Sequence, residues 1–219
     1  MIKLCVFDLD GTIANTITTI AYYGNRAMNK FGLPDIDKER YKILVGDGAA
    51  TLVERMLREK NAYSKELFDK MLPFYVDDYD RDFMYLTTVY DGIINLLDEL
   101  SKTGIPAVVL TNKPEHTAIK VVKTLVGDRA KECFGNRDGR PKKPDPTVLL
   151  EILEKYGVSG DECLYIGDTS TDMDTGNGGK CHTVGVLWGF RSKEELMSHN
   201  AEFIIEKPSE IIDIISKLK

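Results

Sequence analysis

Two aspartates two residues apart, Asp8 and Asp10, close the first apolar run of the chain, and its chemistry is organised around them. The run from Ile2 to Phe7, broken only by Lys3, has the length and composition of a buried strand. Side chains alternate along an extended backbone, so both carboxylates can face the same way. Gly11 allows a sharp exit and Thr12 can cap the next element. In open parallel sheets ligands sit beyond the carboxyl ends of the strands, so a charged pair there points to a metal and a reaction. The plainer account makes Asp8 and Asp10 turn-formers only. It weakens as further polar groups arrive at other strand ends.

Those groups come in three sets. A buried strand over residues 105–110 ends in Thr111 and Asn112. Another, over residues 163–166, ends in Gly167-Asp168, with Asp172 four residues beyond that aspartate. Lys143 stands just before a helix start marked by Asp145 and Pro146. In a parallel sheet all of them reach one rim. Taken singly, Thr111-Asn112 is a strand-end turn, Lys143 a solvated lysine and Asp168 a turn residue. Their joint order is what matters, and it meets the needs of phosphoryl transfer: positioning, charge neutralisation and an in-line nucleophile.

In that chemistry Asp8 is the nucleophile, forming an aspartyl-phosphate. A carboxylate approaching a phosphate dianion is repelled, so a divalent cation is required, and Mg2+ suits a few carboxylates with waters. Asp8, the backbone carbonyl of Asp10, and Asp168 form the expected shell, supported from outside by Asp172. Asp10 protonates the leaving oxygen and then takes a proton from water. Gly11, Thr111 and Asn112 are expected to bind the phosphoryl oxygens together with Lys143, which neutralises charge developing on them.

The elements that must position these residues are set by pattern and composition. The 219 residues are 42% hydrophobic and 29% charged, enough for a full core. After the first strand the periodicity becomes helical and stays so until about Met84, with apolar stripes through Ile17–Phe31, Leu52–Leu57 and Leu67–Tyr75. From Tyr90 onward helix and strand alternate, with a basic, Gly-containing loop over residues 129–143. The expected fold is therefore α/β: a Rossmann-like, mainly parallel sheet with helices on both faces, plus an inserted all-helical cap domain. The expected boundaries are 1–14 with 87–219 for the core and 15–86 for the cap. A net charge of −6 argues against broad nucleic-acid or anionic-membrane binding. No apolar run approaches a membrane span, and the start of the chain lacks the pattern of a secretory signal. Cys5, Cys133, Cys163 and Cys181 form no Cys-X-X-Cys, so reduced thiols in a cytoplasmic protein are expected.

The quartet Asp8-Leu9-Asp10-Gly11-Thr12, Thr111-Asn112, Lys143-Pro144-Asp145-Pro146 and Gly167-Asp168-Thr169-Ser170-Thr171-Asp172 resembles the four motifs of the haloacid dehalogenase superfamily. The helical insertion between the first two resembles the small cap of its first subfamily. A narrower resemblance, to phosphoglycolate phosphatases, is carried by Val45-Gly46-Asp47-Gly48-Ala49, Leu52-Val53-Glu54-Arg55, Leu110-Thr111-Asn112-Lys113-Pro114, and Val184-Gly185-Val186 with Trp188-Gly189. The chain departs from that pattern at Asn15-Thr16, where an Asp-Ser pair is usual, and at Asp91, where Pro is usual. It also departs after the last motif, where Gly176, Gly178 and Gly179 replace an Ala-rich helix. At roughly 1 kcal/mol per glycine relative to alanine, that helix is expected to be short or distorted.

A cap that closes would exclude water and bring its own residues to the leaving group. Gly46 and Gly48 could admit close backbone approach, and Lys42 or Arg55 could meet a substrate carboxylate. Arg55, lying near Glu54 and Glu59, has a plainer account as a helix-surface ion-pair residue. The resulting expectation is a Mg2+-dependent phosphatase of a small phosphorylated metabolite, monomeric or homodimeric. A sugar-phosphate mutase, a pyrophosphatase or nucleotidase, and a phospho-accepting signalling or scaffold protein are the alternatives.

Overall fold

A computed structural model describes residues 1–218. The chain opens with strand β1 (Leu4–Phe7), fully buried because it has a neighbour on each side. It leaves through the two-residue strand β2 (Ala14–Asn15). Four helices come next: α1 (Ile17–Lys30), α2 (Lys38–Leu44), α3 (Ala49–Glu59) and α4 (Lys65–Arg81). The short strand β3 (Thr88–Val89), paired with β2, brings the chain back. Then come α5 (Ile93–Lys102), β4 (Ala107–Pro114), α6 (Glu115–Val126), β5 (Ala130–Asn136) and α7 (Thr147–Tyr156). The last elements are β6 (Cys163–Gly167), α8 (Ser170–Gly178), β7 (His182–Val186), α9 (Lys193–Ser198), β8 (Phe203–Ile205) and α10 (Glu210–Lys217).

The chain divides into two compact units, Met1–Asn15 with Val89–Lys219, and Thr16–Thr88. In the first, six strands form one sheet in the order β5-β4-β1-β6-β7-β8. All of its pairings are parallel. Parallel neighbours need crossover connections, and helices supply them. One apolar layer joins Leu4, Val6, Val108 and Leu110 of the sheet to Leu149, Ile152 and Leu153 of α7. In register, Phe7 lies beside Val109 and Ile166, so the ends of β1, β4 and β6 come level.

Two local expectations change. The stretch 129–143 is not all loop, because β5 occupies its first half. As an edge strand β5 pairs on one side only, so it carries Lys131 and Glu132 and lacks a buried strand's apolar run. The strand expected to end at Leu110 continues to Pro114, with Thr111, Asn112 and Lys113 inside it. Helix α8 is short, nine residues, yet forms despite its glycines. A Cβ at Gly176 would lie 2.6 Å from Thr183 Cγ2, and one at Gly179 would lie 2.5 Å from Leu149 Cδ2. Missing side chains let this turn lie close to β7 and α7, which offsets lost helix propensity.

The helical unit has its own core of Met28, Tyr41, Met56, Leu57 and Met71, all fully buried. Gly24 gives the Tyr41 ring its space, and the Tyr41 hydroxyl donates to Asn25 Oδ1 at 2.8 Å. Buried Asp78 accepts two bonds from the Arg26 guanidinium, at 2.6 and 3.2 Å. That fork compensates a carboxylate taken out of water.

Candidate active site

At the end of β1, Asp8 is buried, and the Lys143 ammonium donates to its Oδ1 at 2.7 Å. The same ammonium donates to Asp172 Oδ1 at 2.6 Å. Both bonds are short and charge-assisted. Lys143 precedes α7 in a loop, so something else must aim it. Asn112 does so with both ends of its amide: Nδ2 donates to the Lys143 carbonyl at 3.1 Å, and the Lys143 N–H donates to Oδ1 at 2.9 Å. The Asn112 amide thus clasps the Lys143 backbone from both sides. Burial alone would lower the lysine pKa, but Asp172 and Asp8 outweigh it and hold the ammonium well above the ordinary lysine value.

Asp168, just past β6, is completely buried and held from two directions. The Thr12 hydroxyl donates to Oδ1 at 3.2 Å, and the Phe190 N–H donates to Oδ2 at 2.8 Å. Trp188 ties the same loop to the turn after β1, donating from Nε1 to the Thr12 carbonyl at 3.0 Å. Two glycines make room for the carboxyl group. A Cβ at Gly11, whose φ is +94°, would lie 2.2 Å from Asp168 Oδ2, and one at Gly189 would lie 2.2 Å from Asp168 Cβ. Asp172 opens α8 in a capping box: the Thr169 hydroxyl donates to Oδ2 at 2.6 Å and its N–H at 3.1 Å.

Asp8, Asp168 and Asp172 each offer one oxygen, all within 4.8 Å of one another. Burial pushes the Asp8 pKa up to about 7, against the pull of Lys143 and with the push of Asp172. Burial, then Asp172 and Asp8, raise Asp168 well above the ordinary carboxylate range. Three hard oxygen donors with one lysine between them carry excess negative charge, and a hard divalent cation fits that donor set.

Asp10 lies outside this group. Its carboxylate faces the buried Lys113 ammonium, 3.2 Å from each oxygen. Thr111 Oγ1 accepts the Lys113 backbone N–H at 3.2 Å, leaving the hydroxyl proton to point elsewhere.

Residues 5–186 match the sequence profile of the haloacid dehalogenase-like hydrolases. The chain belongs to that family. A phosphoglycolate phosphatase of Chromobacterium violaceum is 30% identical over 217 residues, spanning 98% of this chain and 96% of its own. One of Vibrio parahaemolyticus is 26% identical, with the same two coverages. The crystal structure of a Lactobacillus delbrueckii subsp. bulgaricus protein, provisionally assigned as a phosphoglycolate phosphatase, superposes with a TM-score of 0.92. It is 26% identical and covers 97% of this chain and 98% of its own. The chain is a phosphatase of the haloacid dehalogenase superfamily, and its sheet and surrounding helices have that superfamily's α/β fold.

In this hydrolase Asp8, Lys143, Asp168 and Asp172 meet beyond β1 and β6, whereas Arg55 and Lys42 of the helical unit are engaged locally. Arg55 donates to the Leu44 carbonyl at 2.9 Å and pairs with Asp47. It braces the loop carrying Gly46 and Gly48, which take φ values of +119° and +88°. Lys42 pairs with Glu39 one turn earlier, at 2.7 Å. Sequence reasoning assigned no role to Lys113 or to the Trp188-Gly189-Phe190 turn. Strand β4 runs on to Pro114 through a register shift against β5, and Lys113 is buried within that irregular stretch, which no local pattern announces.

Gly189 yields a direct expectation. In Gly189→Ala the new methyl and the Asp168 carboxyl group cannot both stay in place. Mg2+ affinity should fall about 10–100-fold, the usual cost of disturbing a metal ligand's support. Fluorescence of Trp188, the single tryptophan, during Mg2+ titration is the measurement. Unchanged affinity would show that Asp168 needs no such room.

Proposed function

We propose that the chain is a Mg2+-dependent phosphomonoesterase of a small anionic metabolite, with phosphoglycolate the first candidate, working through an aspartyl-phosphate on Asp8. The observation that carries this reading is the Lys143 ammonium between Asp8 and Asp172, with Asp168 within reach of both. Relatives aligned over 98% of the chain and named phosphoglycolate phosphatases support the substrate.

Asp8 attacks phosphorus in line with the leaving oxygen, forming an Oδ–P bond as the P–O ester bond breaks. Asp10 gives its proton to the departing oxygen, then accepts one from the water that cleaves the phosphoenzyme. Lys143 and the Thr111 hydroxyl meet the negative charge on the phosphoryl oxygens, in a site where burial strengthens each such interaction. Asp8 and Asp168 would hold Mg2+ together with the Asp10 carbonyl, with Asp172 beside them. When bound, the ion supplies the positive charge that lets a carboxylate approach a phosphate dianion.

No helix among the described residues is long and apolar enough to cross a membrane. Unpaired cysteines agree with the reducing cytoplasm, which we take as the location, with a monomer or homodimer as the working form. The test is phosphate release across a panel of phosphomonoesters. Phosphoglycolate should lead the panel, EDTA should abolish release and added Mg2+ should restore it. Full activity in EDTA would sink the metal assignment, and a sugar phosphate or nucleotide in first place would sink the substrate.

A further inference from the structure

We propose that Lys113 is the specificity-determining residue of this site, binding a carboxylate on the leaving group of the substrate in exchange for Asp10. The inference rests on the small-anion substrate reading above and names the group that enforces it. Its first support is the geometry of the Asp10–Lys113 pair. Lys113 reaches the site from inside β4, its side chain 6% exposed, while Asp10 is 20% exposed. The ammonium lies 3.2 Å from both Asp10 oxygens, whereas Lys143 holds its carboxylates at 2.6 and 2.7 Å. A symmetric, longer pairing at the edge of the site is weaker than the short bonds within it and exchanges more readily.

The second support is chemical. Asp10 is the group placed to serve the leaving oxygen, so the cation it faces lies on the leaving-group side of the phosphorus. In a glycolyl ester the carboxylate oxygens sit about 2.7–3.6 Å from the leaving oxygen, by ordinary bond lengths. An ammonium within hydrogen-bond reach of Asp10 thus stands on the side of the site where that carboxylate would lie. The exchange is charge-neutral, one carboxylate replacing another on the same ammonium. A third support is the engagement of the other candidates. Arg55 braces its own loop, Lys42 pairs with Glu39, and Lys143 is committed to Asp8 and Asp172.

The experiment compares kcat/KM for phosphoglycolate and for ethyl phosphate, which has the same leaving oxygen and no carboxylate, both with Mg2+. Wild type should prefer phosphoglycolate by tenfold or more. Lys113→Met should lower the preference for phosphoglycolate over ethyl phosphate, the ratio of the two kcat/KM values, by about 10–100-fold, the range for a hydrogen bond to a charged group. A thermal melt controls for folding, and Lys113→Gln replaces the methionine variant should that one not fold. Equal losses on both esters would overturn the proposal and leave Lys113 a support for Asp10 alone. A preference retained in the variant would overturn it too. A wild type with no preference would instead sink the carboxylate-substrate reading, and this inference with it.

Discussion

Asp8→Asn should lower kcat by about 10,000-fold or more, the scale on which removal of an enzyme nucleophile acts, while the protein still folds. The amide has nearly the shape of the carboxyl group but no anionic oxygen to attack phosphorus. Its oxygen can still accept from the Lys143 ammonium, which donates to Asp8 Oδ1 in the native protein. Neutralising this position also removes one of three carboxylates crowded within 4.8 Å. Burial already pushes Asp8 toward its neutral form, with a pKa of about 7, so the metal-free variant should melt no lower than wild type. Acid-quenched trapping of labelled phosphate would show no phosphoenzyme. Turnover within tenfold of wild type would mean that another group attacks.

The second large effect falls on stability. Lys143→Met takes the ammonium away from Asp8 and Asp172 and leaves buried carboxylates unpaired. Breaking a buried pair in this way costs about 3–5 kcal/mol. For a chain of this size that is roughly 6–20 °C in Tm. The loss should depend on pH, with a sign set by linkage. Without the lysine, Asp8 loses the partner that opposes its burial and holds its proton to higher pH than it does in the unfolded chain. The folded variant then binds more protons than the unfolded one above the ordinary carboxylate pKa, so its stability falls as pH rises through that window. Thermal melts in EDTA should therefore separate wild type and variant more at pH 8 than at pH 5. An equal gap at both values would mean that the lysine acts through packing alone.

The same lysine shows where sequence reading reaches its limit. Asp8, Asp168 and Lys143 could be named from the sequence because each follows or precedes an element with a strong signal. Phe7 and Ile166 end apolar runs that read as buried strands, and Pro146 marks a helix start. Asn112 could be placed beside them, but its actual task, clasping the Lys143 backbone from 31 residues away, depends on a loop that has no local pattern. Helix α8 shows the reverse case. Its glycines read as a weakness in the sequence, and the weakness is offset by close packing on Thr183 and Leu149, which are not its chain neighbours.

By itself the sequence determined the order of most elements, the edge strand β5 excepted, together with the rim on which polar groups collect and the type of chemistry open to them, because alternation, helical period and turn residues are local properties. The tertiary structure alone decided partners: Lys113 with Asp10, Phe190 with Asp168, Arg55 with the Leu44 carbonyl. Charges and hydrogen bonds act over a few ångströms in space, and only the packed chain sets which distant residues come that close.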